Sequence, residues 1–224
     1  MYVFKKYIVI FFLFFVMKID AQNYSVKNLT IQDGLPSNIV YDIQQDKIGY
    51  LWIATEKGLV KFDGDDFTLI NSLKTTTLFI DGSTIYAGLE NGLFIKNKSN
   101  EYFIKSEKIL SIVKHKNKIY TGTIEGIYSL ENKELYPLLN NSTVNLPSVN
   151  GMISTEKGII ITSTKGLYKL HISLNKSYLN KIEKGVFTSI DKSYNSYIAT
   201  ESNGKIIEVK NDSILKTIET ISNA

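Results

Sequence analysis

The chain has 224 residues, 43% apolar and 21% charged, a globular composition that excludes a disordered tail, a collagen-like fibre and a multi-span membrane protein. It contains no cysteine, which removes disulfide scaffolds, thiolate metal sites and thiol catalysis. Its formal charge is +4, all 26 basic residues are lysine, and only two histidines occur, His115 and His171, so bidentate nucleic-acid readout and histidine-based metal or triad chemistry are poorly supplied.

Residues 1–21 read as a secretory signal peptide. Lys5 and Lys6 precede an unbroken apolar run, Tyr7 to Met17, and Ala21 offers a small residue for cleavage. The alternative is an uncleaved anchor, but the run is eleven residues and a spanning helix needs roughly 20. Loss of Lys5, Lys6, Lys18 and Asp20 takes the net charge from +4 to +2, which leaves no electrostatic footprint for nucleic acid. No later stretch reaches spanning length, so the expected location is periplasmic or secreted.

From residue 22 onward the chain repeats. Leu51-Trp52-Ile53-Ala54 leads through Thr55-Glu56-Lys57 to Gly58, and the same layout recurs at Gly92, Gly126, Gly166 and Gly204, with spacings of 34, 34, 40 and 38 residues. Each copy runs from an apolar strand through a small residue (Ala54, Gly88, Gly122, Thr162, Thr200) and a polar turn to glycine and a second apolar strand. A further strand precedes each pair: Ile39–Ile43, Leu78–Ile80, Ile109–Val113, Val149–Ile153 and Val186–Ile190. In the first copy Phe67–Ile70 closes the unit after an Asp63-Gly64-Asp65 turn. Strands apolar on both faces, as in Gly158-Ile159-Ile160-Ile161, suit sheets packed between two neighbours. The pattern predicts an all-β fold, a β-propeller of four-stranded antiparallel blades at about 40 residues each. Five units fall at roughly 24–71, 72–105, 106–140, 141–183 and 184–224. A parallel β-helix or a simple sandwich is the competing architecture.

The first copy is the most distinctive. Asp33-Gly34-Leu35-Pro36-Ser37-Asn38 is followed by Gln45-Asp46, then Gly49-Tyr50-Leu51-Trp52-Ile53-Ala54-Thr55, then Gly58-Leu59-Val60-Lys61-Phe62-Asp63-Gly64. It resembles the two-component regulator propeller repeat, found in the periplasmic sensor region of Bacteroidetes-type hybrid two-component proteins. The likeness is close over about a fifth of the chain; the later copies keep only the strand–turn–glycine core. The resemblance implies extracellular ligand sensing, often of carbohydrate, or a dimerisation platform, with output through a downstream domain, a membrane helix and a cytoplasmic kinase or DNA-binding part. It also implies that Tyr24–Thr30 supplies the outer strand of the last blade. Closed propellers carry roughly 4–8 blades, and the resemblance implies more than five. The expectation is therefore an incomplete ring, the N-terminal piece of a longer sensor, with a small five-bladed ring as the alternative.

Candidate sites divide into packing and contact roles. Trp52 is replaced by Tyr86, Tyr120, Ile160 and Ile198 in the other copies, which points to core packing rather than sugar stacking. Asp63-Gly64-Asp65-Asp66 reads as a tight turn, since calcium-loop spacing is not met. His115 and His171 read as exposed turn residues. The turns before the anchor glycines project from one end of a propeller and carry Glu56, Lys57, Glu90, Asn91, Glu125, Lys165 and Asn203; the first loop adds Asp33 and Asn38. Such carboxylates and amides could hold an oligosaccharide or other extracellular small ligand, and equally they are turn formers. No catalytic residue, metal ligand or cofactor is expected. The function read from the sequence is an exported, non-catalytic ligand-sensing module, with a propeller enzyme (lyase or glycan-active) or a purely structural propeller as alternatives. The expected partners are the ligand, a second copy of the chain or downstream signalling domains.

Overall fold

The structure, a computed structural model, describes residues 26–139, 146–173, 177–211 and 213–218. The leader and the Tyr24–Ser25 start of the expected closing strand lie outside the described residues.

The described chain forms five four-stranded antiparallel sheets, each a simple meander. Sheet 1 is β1 (Val40–Gln45), β2 (Leu51–Thr55), β3 (Gly58–Phe62) and β4 (Phe67–Asn71). Sheet 2 is β5 (Thr75–Asp81), β6 (Thr84–Leu89), β7 (Gly92–Lys96) and β8 (Glu101–Lys105). Sheet 3 is β9 (Ile109–His115), β10 (Lys118–Thr123), β11 (Ile127–Glu131) and β12 (Glu134–Pro137). Sheet 4 is β13 (Val149–Thr155), β14 (Gly158–Ser163), β15 (Gly166–His171) and β16 (Tyr178–Glu183). Sheet 5 is β17 (Phe187–Lys192), β18 (Tyr197–Glu201), β19 (Ile206–Lys210) and β20 (Ser213–Ile218). Among the described residues the only helical turn is a 3-10 turn at Ile31–Asp33.

The first strands of successive sheets pack on one another: β5 on β1, β9 on β5, β13 on β9 and β17 on β13. This is the blade arrangement of a propeller, with first strands innermost. The cores are slabs between sheets. Trp52, Ala54 and Leu59 of sheet 1 meet Leu78, Ile85 and Leu89 of sheet 2. Val113 and Tyr120 of sheet 3 meet Met152, Ile161 and Leu170 of sheet 4. All of β14 is buried because it has a slab on each face.

Two devices recur at each junction. The register of the first strand slips by one residue at the same place in every sheet, leaving Tyr41, Thr76, Leu110, Asn150 and Thr188 as bulged residues. A side chain near the bulge then bonds the next sheet. Thr76 Oγ1 donates to the Ile109 carbonyl, Ser111 Oγ to the Val149 carbonyl at 2.8 Å, and Asn150 Nδ2 to the Phe187 carbonyl at 2.7 Å. The small residues on the second strands make room for this approach. A Cβ on Gly88 would lie 2.8 Å from Ile109 Cγ2, and one on Gly122 would lie 2.4 Å from Val149 Cγ1.

Three of the anchor glycines, Gly58, Gly92 and Gly166, make room for the outer strand. A Cβ at Gly58 would sit 2.1 Å from the Asn71 carbonyl oxygen, and one at Gly166 2.5 Å from that of Glu183. Gly204 departs from the expected layout: its turn is one residue longer, and Lys205 takes the pairing place, its carbonyl accepting from Glu201 N at 2.8 Å.

Candidate functional site

The turn residues singled out in the sequence do gather at one end of the sheets. Bonds tie each turn to the approach of its own first strand: Glu56 N to Ile39 O, Glu90 N to Lys74 O, Ile124 N to Lys108 O and Ser202 N to Val186 O through the backbone, and Thr164 Oγ1 to Pro147 O through a side chain. Lys74, on the approach to sheet 2, bridges Glu56 (3.8 Å) and Glu90 (3.1 Å), and Lys108 reaches Glu90 at 2.9 Å. The result is an ion ladder, Glu56–Lys74–Glu90–Lys108, across three sheets. The Lys108 hydrogen bond, with help from Lys74, holds the Glu90 carboxyl below its ordinary range. The Lys74 ammonium is raised by its bond to Glu90 and then by Tyr41.

The other predicted residues build backbone. Asp33 Oδ2 accepts from Thr30 N at 2.8 Å and Thr30 Oγ1 at 3.1 Å, and those bonds lower its carboxyl. Asn38 Oδ1 accepts from Ile31 N at 3.1 Å. The two residues thus shape a cap that seats Leu35 on Ile53, Val60 and Phe62. Asn203 Oδ1 accepts from Lys205 N, and its Nδ2 donates to Glu201 Oε2, both at 2.9 Å. Main-chain groups of Lys57, Asn91, Glu125 and Lys165 bond within their turns or to the outer loop: Lys57 N to Thr55 Oγ1, Ser106 N to Asn91 O, Glu125 N to Thr123 Oγ1 and Lys165 N to Ser163 Oγ. Glu125 lines a shallow depression beside Glu107 and Tyr128.

A more concentrated site lies at the opposite end, between sheets 4 and 5, and the sequence reading missed it. A cavity of about 390 Å³ is lined by Ser154, Glu156, Lys157, Lys169, Lys192, Asn195 and Tyr197, among others. Among the described residues the lining carries three lysines and one carboxylate. Lys169 is only 3% exposed. It lies two residues beyond Leu167 and so shares the face that packs against Phe187, Ala199 and Ile207. The available signal was a mismatch between repeats. Ile95 holds the matching register position in sheet 2 and Lys61 in sheet 1, where its ammonium lies 3.3 Å from the Tyr50 ring centroid.

His115 overturns its expected exposed-turn role. It is 4% exposed at the end of β9, and Nδ1 lies 2.9 Å from Ser154 Oγ across the junction with sheet 4. The hairpin places the ring against sheet 4, because β9 packs on β13. Burial, then the nearby Lys116 charge, pushes the imidazole below its ordinary value. His171 is partly exposed and stacks on Tyr178 at 4.6 Å. Trp52 is buried in the slab between sheets 1 and 2, and Asp63 Oδ1 accepts from Asp65 N and Asp66 N as a hairpin turn. Among the described residues no group of three or more histidine, aspartate or glutamate side chains could hold a metal ion, and no helix is long and apolar enough to cross a membrane.

Five four-stranded meander sheets packed through their first strands define the molecule as a β-propeller protein. Residues 34–57, within its first repeat, match the family described as the two component regulator propeller. The chain is 48% identical over 63 residues to histidine kinase P4 of Formosa agariphila, a stretch that is 27% of this chain and 5% of the relative. Among solved structures it resembles the extracellular domain of a B. thetaiotaomicron protein described as a hybrid two-component system, at 18% identity and TM-score 0.58, covering 88% of this chain and 35% of that one. A second B. thetaiotaomicron extracellular domain so described matches at 20% identity and TM-score 0.50, over 83% and 35% of the two chains. AztD from Citrobacter koseri matches at 11% identity and TM-score 0.57, over 80% and 62%. At these identities the likeness is one of fold, and the chain spans about a third of the two extracellular domains.

Proposed function

We propose that this chain is the input module of a two-component-type signalling protein, acting outside the cytoplasm by binding rather than catalysis. The observation that carries the reading is the two-component regulator propeller repeat at residues 34–57, set in a propeller fold that extracellular domains described as hybrid two-component systems share. The leader-like segment of Lys5–Ala21 supports export.

The ligand seat in this reading is the cavity between sheets 4 and 5. Lys157 and Lys192 favour an anion, and Asn195 and Tyr197 suit hydroxyl groups. An acidic oligosaccharide has both features. The predicted turn carboxylates are weaker candidates because Glu56 and Glu90 are already paired with lysine. The test is thermal shift with uronate-containing and neutral oligosaccharides of equal length. Stabilisation by the acidic series, lost in Lys192→Glu, supports the seat. Stabilisation by neutral sugars alone moves recognition elsewhere, and indifference to every glycan favours a structural propeller.

One contact favours a second, catalytic reading: Ser154, which lines the cavity, meets buried His115. Labelling of Ser154 by a fluorophosphonate probe would support it, and absence of labelling in the folded chain would remove it.

A further inference from the structure

We propose that the ligand seat continues outward along one end of sheet 4, where the stacked rings of His171 and Tyr178 carry a further sugar ring. The seat then takes a chain of linked sugars with its acidic group innermost. This rests on the reading of the cavity between sheets 4 and 5 as the seat, and adds its outer half.

The register of sheet 4 lays out the path. At the end that carries the cavity, β13 turns into β14 at Thr155 and Gly158. Ile159 of β14 lies opposite Leu170 of β15, and His171 of β15 lies opposite Tyr178 of β16. Crossing from β13 to β16 takes three strand spacings, about 14 Å. That is room for a short chain of sugar rings rather than a single one.

A second recess, of about 400 Å³, lies at the outer end of this path and is lined by Lys169, His171, Asn180 and Ile182, among others. Lys169 belongs to its lining and to that of the inner cavity, so the two meet along one side chain. Residues opposite each other in a sheet share a face, and so do residues two apart on one strand. Lys169 is opposite Asn180 and His171 is opposite Tyr178, so all four stand on the face that Leu167 presents to sheet 5. The recess therefore opens on the junction between two described sheets.

The two halves differ in chemistry. The inner cavity sets Lys157 and Lys192 beside Asn195 and Tyr197, a place for a carboxylate and hydroxyls. The outer recess offers rings and an amide. His171 and Tyr178 lie nearly parallel, at 9°, with centroids 4.6 Å apart. Asn180 Nδ2 lies 3.3 Å from His171 Nε2. Tyr178 is still 48% exposed with His171 against it, so part of its surface is open to a ligand. An aromatic surface beside an amide suits a sugar ring, which packs its C–H groups on the one and bonds its hydroxyls to the other.

The test is calorimetric titration of the full chain with digalacturonate and tetragalacturonate. The tetramer should bind about three- to tenfold more tightly than the dimer. Tyr178→Ala should remove that gain and leave the affinity for the dimer unchanged. Tyr178→Phe, which keeps the ring, should retain the gain. Equal affinity for the two lengths in the unaltered chain overturns the proposal. A gain that survives Tyr178→Ala overturns it too, as does an equal loss for both lengths in that variant. Those three results leave the inner seat standing. Binding of neither probe, or binding that Lys192→Glu does not weaken, removes the inner seat and this extension with it.

Discussion

The indole Nε1 of Trp52 donates to Asp46 Oδ2 at 2.9 Å, joining the first hairpin turn to the slab between sheets 1 and 2. The other carboxylate oxygen accepts from the amides of Ile48 (2.9 Å), Gly49 (3.0 Å) and Tyr50 (3.1 Å). One side chain thus closes the turn and orients the only tryptophan, which accounts physically for aspartate, glycine and tryptophan at these spacings in the first repeat.

Asp46→Ala should therefore destabilise the chain by roughly 2 kcal/mol at pH 7 in urea unfolding. Burial acts to raise the Asp46 carboxyl, but the bonds from Trp52, Ile48, Tyr50 and Gly49 outweigh it and hold it below its ordinary value. A depressed carboxyl stabilises above its unfolded value and loses that stabilisation as pH falls through the folded one. The gap between the two proteins should persist at neutral pH and narrow below about pH 4. A gap independent of pH would count against the assignment.

His115 carries the opposite charge change. Burial lowers its imidazole in the folded chain, so the unfolded chain binds the extra proton first. Stability should fall as pH drops below about 6.5, the unfolded value. His115→Gln removes the titration, and its melting temperature should vary less between pH 7 and 5 than that of the unaltered chain. Parallel profiles would show that the ring does not contribute.

Gly92 and Gly126 separate two reasons for glycine. Both have positive φ, 154° and 153°. A Cβ at Gly92 would lie 2.2 Å from the Ile104 carbonyl oxygen, whereas one at Gly126 meets nothing within 4 Å. Gly126→Ala should cost about 1 kcal/mol, from backbone strain alone. Gly92→Ala must also displace β8 and should cost roughly 2–4 kcal/mol. Equal losses in thermal unfolding would show that the outer-strand contact is unimportant.

Thr121 is 0% exposed, and its hydroxyl has no hydrogen-bond partner among the described residues. Burying a hydroxyl without a partner is unfavourable, and valine keeps the shape without the polar atom. Thr121→Val should stabilise the chain by about 1 kcal/mol, read as a higher urea midpoint. A loss of stability would place a bound water or a partner at that hydroxyl.

The repeat, the strands of each hairpin and the end of the sheets that carries the turns were legible in the sequence, because hairpins join residues a few positions apart and their turns demand particular residue types. Glu56, Glu90 and Asn203 were found for that reason, as turn residues. Their lysine partners were not, because Lys74 and Lys108 come from approach segments on neighbouring sheets. The outer strands β8, β12, β16 and β20 carry too few buried side chains to show a pattern. His115 read as exposed because its neighbours are lysine and asparagine, while the group that covers it, Ser154, lies thirty-nine residues away.

By itself, then, the sequence determined the blade, its glycines and the kinship of the first repeat, all consequences of local backbone geometry. The tertiary structure decided how blades meet: which bulged side chain bonds the next carbonyl, how His115 comes to be covered by Ser154 and where Lys169 joins a cavity between two sheets. Those outcomes depend on residues from different sheets, brought together only when one sheet packs on the next.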